Sequence, residues 1–224
     1  MEQNELLELK NVYLKQQNNI ILEDISMKIN KGEFIYFVGK TGSGKSSLLK
    51  SLYGDINIDK GDVLFNGFSL KKMRRKNILE LRRRIGIIFQ DFELLMDRSI
   101  EDNLKFVMKA TGWKGKKAIN EAIEELLSKV DMSDKAKSFP HLISGGEQQR
   151  VAIARALVND PEIIIADEPT GNLDPETSSK IMSLIKQVAG QEKTVIMATH
   201  DYDIIKKFPG RIIAFEDRSI KEQA

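Results

Sequence analysis

The chain has 224 residues, enough for one domain with a substantial core, and its 30% charged and 41% hydrophobic residues are ordinary for a globular protein. A formal net charge of +2 is too small to argue for nucleic acid. The lack of cysteine excludes disulfides and thiolate metal sites, and two histidines alone cannot build a typical zinc centre. No apolar run approaches the ~20 residues that cross a bilayer, and the acidic start Met1-Glu2-Gln3-Asn4-Glu5 lacks the basic and apolar regions of a signal peptide. The expected location is the cytoplasm, with any membrane role supplied through a partner.

In chain order, residues 6–12 and 25–29 read as short strands separated by the polar Lys15-Gln16-Gln17-Asn18-Asn19, an antiparallel, hairpin-like beginning. Tyr13 is the nearest aromatic that could stack on an adenine base; simple packing at a strand end is the alternative. Asn30-Lys31-Gly32 turns the chain into Phe34-Ile35-Tyr36-Phe37-Val38, a buried strand. There follows Gly39-Lys40-Thr41-Gly42-Ser43-Gly44-Lys45-Ser46, which fits G-x-x-x-x-G-K-[ST], and Ser47-Leu48-Leu49 continues into a helix. Strand, glycine loop and helix together make a phosphate cradle. Glycines let backbone N–H groups turn inward, the helix N-terminus adds its positive dipole end, Lys45 reaches β- and γ-phosphates, and Ser46 is a Mg²⁺ ligand.

Val63-Leu64-Phe65 is a further short strand, ended by the turn signal Asn66-Gly67. The next stretch is basic, with Lys71, Lys72, Arg74, Arg75, Lys76, Arg82, Arg83 and Arg84 set around the apolar stripe Leu70, Met73, Ile78, Leu81 and Ile85. It reads as an amphipathic helix with a solvated basic face or as a patch drawn to anionic lipid. No aromatic or groove-reading residues interleave these charges, so no nucleic-acid site is expected. Ile85-Gly86-Ile87-Ile88-Phe89 is a buried strand ending at Gln90, a candidate to orient water or Mg²⁺ at the carboxyl edge of a parallel sheet.

From residue 91 to 159 helical periodicity replaces strand runs, as in Ala118, Ile119, Ala122, Ile123, Leu126, Leu127 and Val130. Within this stretch Ser144-Gly145-Gly146-Glu147 combines the S-x-x-E spacing of a capping box with two glycines, poor helix formers, at a helix start. An ordinary cap is one reading; a second anion site, serving a nucleotide held by another subunit, is the other. Ile163-Ile164-Ile165-Ala166-Asp167-Glu168 is an apolar strand ending in paired carboxylates. After a P-loop this is a Walker B element, in which Asp167 holds Mg²⁺ and Glu168 polarises the attacking water. The last buried strands are 194–199, ending at His200, which can donate to a γ-phosphate oxygen, and 211–215; the polar segment from Ser219 is expected to fray. The fold class is therefore α/β, a RecA-like P-loop NTPase core with an N-terminal antiparallel β-subdomain and an inserted helical subdomain. Within a single domain, 1–90 and 160–224 form the core and 91–159 the insertion.

The P-loop, Gln90, Ser144-Gly145-Gly146-Glu147-Gln148-Gln149-Arg150, Asp167-Glu168, Asn172-Leu173-Asp174 and His200 stand in the order and spacing of the ATP-binding-cassette ATPases, which the chain resembles over nearly its whole length. Ile143 stands where that family usually has leucine, a volume-conserving change. The resemblance implies an ABC nucleotide-binding domain that pairs head to tail as a homodimer, closed by two ATP molecules with Mg²⁺. Each ATP would lie between one copy's P-loop (Gly39 to Ser47) and the other copy's Ser144, Gly145, Gly146 and Glu147, with Asp174 in a loop between the sites and Gln90 coupling each site to a membrane partner. Within the family, Phe89-Gln90-Asp91-Phe92-Glu93-Leu94-Leu95-Met96-Asp97-Arg98-Ser99-Ile100 is similar to the FtsE branch. That implies an FtsX-like integral membrane partner, a peripheral position on the inner face of the cell membrane and control of cell-wall hydrolases during division. The alternatives are an ATPase subunit of a lipoprotein-release or macrolide exporter, a soluble cassette protein acting on DNA or ribosomes, against which stands the lack of a second cassette or long coiled coil in this sequence, and a nucleotide-sensing scaffold without useful turnover.

Overall fold

A computed structural model describes residues 5–17, 19–71 and 73–223. The chain builds two sheets. Strand β1 (Glu5–Gln16) pairs antiparallel with β2 (Asn19–Asn30) on one side and with β4 (Lys60–Phe65) on the other, and β5 (Phe68–Ser69) completes the order β2-β1-β4-β5. Both long strands extend past their apolar cores, because Leu14 pairs with Leu22, Lys15 with Ile20 and Gln16 with Asn19. Lys15, Gln16 and Asn19, polar residues between the apolar runs, are thus paired near the closed end of the hairpin, and Asn18 lies outside the described residues. Asn66 and Gly67, both at positive φ (48° and 78°), turn β4 into β5, as an Asn-Gly pair is suited to do.

The second sheet has the order β10-β9-β3-β8-β7-β6, formed by β3 (Phe34–Val38), β6 (Ile85–Ile88), β7 (Ile163–Asp167), β8 (Thr194–Ala198), β9 (Arg211–Glu216) and β10 (Ser219–Gln223). All its pairs are parallel except β9 with β10. Alternation along its central strands divides the core in two. Tyr36, Val38, Ile164, Ala166, Val195 and Met197 face one hydrophobic cluster, while Ile35, Phe37, Ile163, Ile165, Ile196 and Ala198 face the other. The second cluster is closed by α1 (Lys45–Leu52) and the antiparallel sheet. The first takes the apolar faces of α3 (Ile100–Ala110), α4 (Lys116–Lys129), α5 (Gly145–Ala156), α6 (Pro175–Ala189) and α7 (Tyr202–Lys207). In α4 the buried positions Ile119, Ile123, Leu126 and Leu127 repeat the stripe seen in the sequence.

The C-terminal segment is a correction to the expected fraying. Asp217 and Arg218, at φ 46° and 61°, close a tight turn, and residues 219–223 pair with β9 in unbroken register. Arg211 Nε and Nη2 donate to the two oxygens of Glu222 at 2.8 and 3.0 Å, a cross-strand fork that the polar composition conceals. The basic run contains α2 (Arg75–Arg83), and part of its charge is structural. Arg82 Nε donates to the Tyr53 carbonyl at 3.1 Å, and Arg84 Nε donates to Glu162 at 2.6 Å while its guanidinium lies 4.6 Å from the Phe65 ring centroid. Lys72 lies outside the described residues.

Candidate active site

The parallel sheet brings the chemistry to one edge. Strands β3, β7 and β8 run in the same direction, so the residues that follow them, Gly39, Glu168 and Thr199-His200, emerge side by side at their carboxyl ends. Gly44 is the N-cap of α1 at φ 102°, with no side chain capping the helix, and a Cβ there would sit 2.8 Å from Leu22 Cδ2. Only glycine meets both demands. The ammonium of Lys45, 5% exposed, donates to the carbonyls of Gly39 (2.7 Å) and Lys40 (3.1 Å), which folds it over the loop. Ser43 Oγ is buried without a hydrogen-bond partner. An orphaned hydroxyl beside uncapped helix N–H groups is a site organised for an anion.

Ser46 Oγ donates to Asp167 Oδ1 at 3.0 Å, joining the P-loop to the end of β7 across 121 residues of sequence. Burial pushes the Asp167 carboxyl above its ordinary value, and neighbouring Glu168 adds to this against the hydrogen bond from Ser46. A desolvated carboxylate beside a hydroxyl, both hard oxygen donors, fits a small divalent cation such as Mg²⁺. Glu168 adopts a left-handed backbone (φ 48°) held by its N–H to the Ala198 carbonyl (2.9 Å), and its Oε2 lies 2.9 Å from His200 Nδ1. Gln90 is close by: a Cβ on Gly171 would lie 3.2 Å from Gln90 Nε2 and 3.4 Å from Glu168 Oε2, so both side chains flank one glycine. Asn172 ties this arrangement, its Nδ2 donating to Asp91 Oδ1 at 3.2 Å and to the Gln90 carbonyl at 3.4 Å.

The segment from Ser144 to Glu147 is a complete capping box. Ser144 Oγ accepts from the Glu147 N–H at 3.3 Å, and Glu147 Oε2 accepts from the Ser144 N–H and hydroxyl, each at 2.8 Å, which hold the Glu147 carboxyl below its usual range. Gly146 has a packing role, since a Cβ would approach Thr177 Cγ2 to 2.6 Å. Gly145 sits against Phe92 and Leu173. None of residues 144–147 lines the two clefts that touch the P-loop. Asp174 caps α6, accepting from the N–H groups of Glu176 (3.1 Å) and Thr177 (3.0 Å).

Tyr13 is not part of this assembly. It pairs with Lys60 across β1 and β4, its ring lies 5.5 Å from Lys60 Nζ, and it is absent from the lining of the clefts beside the P-loop. Sequence reasoning missed Arg155, which donates from α5 to the carbonyls of Phe92 (2.8 Å) and Glu93, the two left-handed residues (φ 58° and 48°) just after Gln90. The available signal was a lone charge in the apolar run from Val151 to Leu157.

Fold and site together define a P-loop ATPase of the ABC class. The sequence profile of the ABC transporter family matches residues 22–171, and the chain belongs to that family. It is 41% identical over 221 residues, 98% of this chain and 96% of the relative, to the cell division ATP-binding protein FtsE of Streptococcus pneumoniae, and 46% identical over 192 residues (86% and 83%) to FtsE of Mycobacterium tuberculosis. Within the ABC class, then, it belongs to the FtsE family of cell-division ATP-binding proteins. The dimeric ATP-binding cassette MJ0796, solved in a post-hydrolysis state bound to ADP and Pi, superposes with a TM-score of 0.85 at 32% identity, covering 97% of this chain and 98% of that one.

Proposed function

We propose that two copies of this chain bind two Mg²⁺–ATP between the P-loop of one copy and residues 144–147 of the other. On this reading they transmit closure and hydrolysis to an FtsX-like integral membrane partner that controls cell-wall hydrolases at division. The observation that carries the reading is the contiguous set Ser46, Asp167, Glu168 and His200 at one sheet edge, beside an uncapped helix N-terminus. That residues 144–147 do not line the clefts beside the P-loop, and the dimeric state of the MJ0796 cassette, favour a site completed by a second copy. The family membership supports the division assignment over an exporter.

In this mechanism the backbone N–H groups of Gly42 to Ser47 and the Lys45 ammonium bind the phosphates. Ser46 and Asp167 would hold Mg²⁺, which neutralises charge on the β- and γ-phosphate oxygens. Glu168 accepts the proton of the attacking water, and His200 orients the Glu168 carboxylate and donates toward the γ-phosphate. Gln90 senses the occupied site from the loop that Arg155 ties to α5. Closure follows because the γ-phosphate is gripped from both copies, so ATP binds closed dimers better than open ones. Residues 91–159 move as the helical unit that presents Ser144 to the partner copy.

Phosphate release by the full chain tests this, together with identification of the membrane subunit that co-purifies from native membranes. Glu168→Gln is expected to lower turnover by roughly 10²- to 10⁴-fold with ATP binding kept, and Ser144→Arg to abolish ATP-dependent dimerisation. Wild-type turnover in Glu168→Gln removes Glu168 from the chemistry, and an exporter-type membrane subunit replaces the division role.

A further inference from the structure

One strongly charged surface stands outside the nucleotide site. Residues 71–84 hold eight basic residues and a single acid, Glu80, although the whole chain has a net charge of only +2, so the rest of the protein is net acidic. Arg82 and Arg84 turn their charge inward, to the Tyr53 and Gly54 carbonyls and to Glu162. Their ion pairs with Asp55 and Glu162 are the only ones this segment makes among the described residues, and Lys71, Arg74, Lys76 and Arg83 are exposed. Exposed lysines elsewhere are matched on their own helix, as Lys117 is with Glu121, Lys129 with Glu125 and Lys180 with Glu176.

Helical periodicity gives α2 two faces. Leu81 is buried, Ile78 is half-buried beside Gly54 and Arg82 reaches the Tyr53 carbonyl, so this side of the helix packs on the protein. Lys76, Leu79, Glu80 and Arg83 follow at i, i+3, i+4 and i+7 on the other side. In the middle of that row Leu79 is 52% exposed, and Phe68, in the strand β5 just ahead of the segment, is 72% exposed. Unpaired cations with apolar side chains among them are what a helix lying on an anionic bilayer presents: the charges meet headgroup phosphates and the apolar tips enter the boundary beneath. A single-stranded nucleic acid calls for aromatic platforms among the charges, and α2 has none. Placement favours the same partner. The helix lies against β6, the outermost strand of the parallel sheet, and β6 leads toward Gln90, the residue assigned above to coupling with the membrane subunit.

We propose, building on the membrane role above, that this face of α2, with Lys71 and Arg74 ahead of it, binds the anionic lipid headgroups of the membrane beside the docked partner. The full chain would be mixed with vesicles made of phosphatidylglycerol and phosphatidylcholine in equal parts, and bound protein separated by flotation. Binding is expected on these vesicles, weakening steeply with salt, and is expected to be absent on phosphatidylcholine alone. Each basic residue at an anionic surface contributes about fivefold, so Lys76→Gln with Arg83→Gln should weaken binding by roughly 25-fold. Adding Lys71→Gln and Arg74→Gln should abolish it. Leu79→Ser should weaken binding by about fivefold, the share of a partly buried leucine, and leave the salt dependence unchanged. Phosphate release by every variant should match that of the unaltered chain, which reports an intact fold. Equal binding to the two kinds of vesicle, binding to neither, or undiminished binding in the four-site variant overturns the proposal. So does an equal loss when Lys117→Gln and Lys129→Gln remove two charges from α4, or tighter binding of single-stranded RNA than of the anionic vesicles at the same salt. None of these outcomes touches the ATPase reading; absent phosphate release with lipid binding kept strikes at that reading instead.

Discussion

Three helices of this protein begin at glycines, α4 after Gly115 among them, and α1 and α5 use theirs for different ends. At α1 the N-cap is Gly44 itself, at positive φ with no side-chain cap, and the neighbouring Ser43 hydroxyl is unpartnered. At α5 the N-cap is Ser144, whose box with Glu147 already satisfies N-terminal donors, while Gly146 lets the helix approach Thr177. A glycine at a helix start therefore does not by itself announce an anion site. The first helix end is bare and waits on a ligand for its hydrogen bonds. The second is internally satisfied, so a phosphate oxygen arriving there competes with Glu147 for the Ser144 hydroxyl.

The comparison breaks most sharply at Gly44. Gly44→Ala forces a Cβ into a left-handed backbone and against Leu22, and strain of this kind, about 1–3 kcal/mol, should weaken nucleotide binding by roughly 10- to 100-fold when measured by calorimetry. Gly146→Ala should do the reverse, leaving the affinity of the single chain for ADP untouched while costing about 1–2 kcal/mol of stability through overpacking on Thr177. Chemical denaturation measures this, and Thr177→Ser, which removes the Cγ2 in the way, should recover most of it. Weakened ADP binding in Gly146→Ala would erase the distinction between the two helix ends.

The smallest effect concerns pH. The Glu147 carboxyl is held below its unfolded value by the Ser144 N–H and hydroxyl, so the cap's stabilisation is complete above the ordinary carboxylate range and is lost as pH falls through the depressed value. Amide exchange at the first turn of α5 should therefore speed up on acidification, and Glu147→Gln should remove that dependence.

Much of the site is legible along the chain because its parts are local. A P-loop needs strand, glycines and helix in succession, and an apolar strand ending in Asp167-Glu168 needs only its own hydrophobic run. Arg155 was hidden because its partners, the Phe92 and Glu93 carbonyls, lie more than 60 residues away and backbone carbonyls have no sequence signature. For Tyr13 the sequence offered only its place at a strand end; its pairing with Lys60 across β1 and β4 is set by strand register. The last strand was obscured by its composition, since an edge strand held by Arg211 and Glu222 needs little apolar content.

By itself the sequence determined the class: periodicity and the order of phosphate-binding, carboxylate and histidine motifs specify a parallel α/β ATPase, because each motif is written in consecutive residues. The tertiary structure alone decided which of those residues meet. It brought Ser46 to Asp167 and Glu168 to His200, because strand order and register are settled by packing across the whole core.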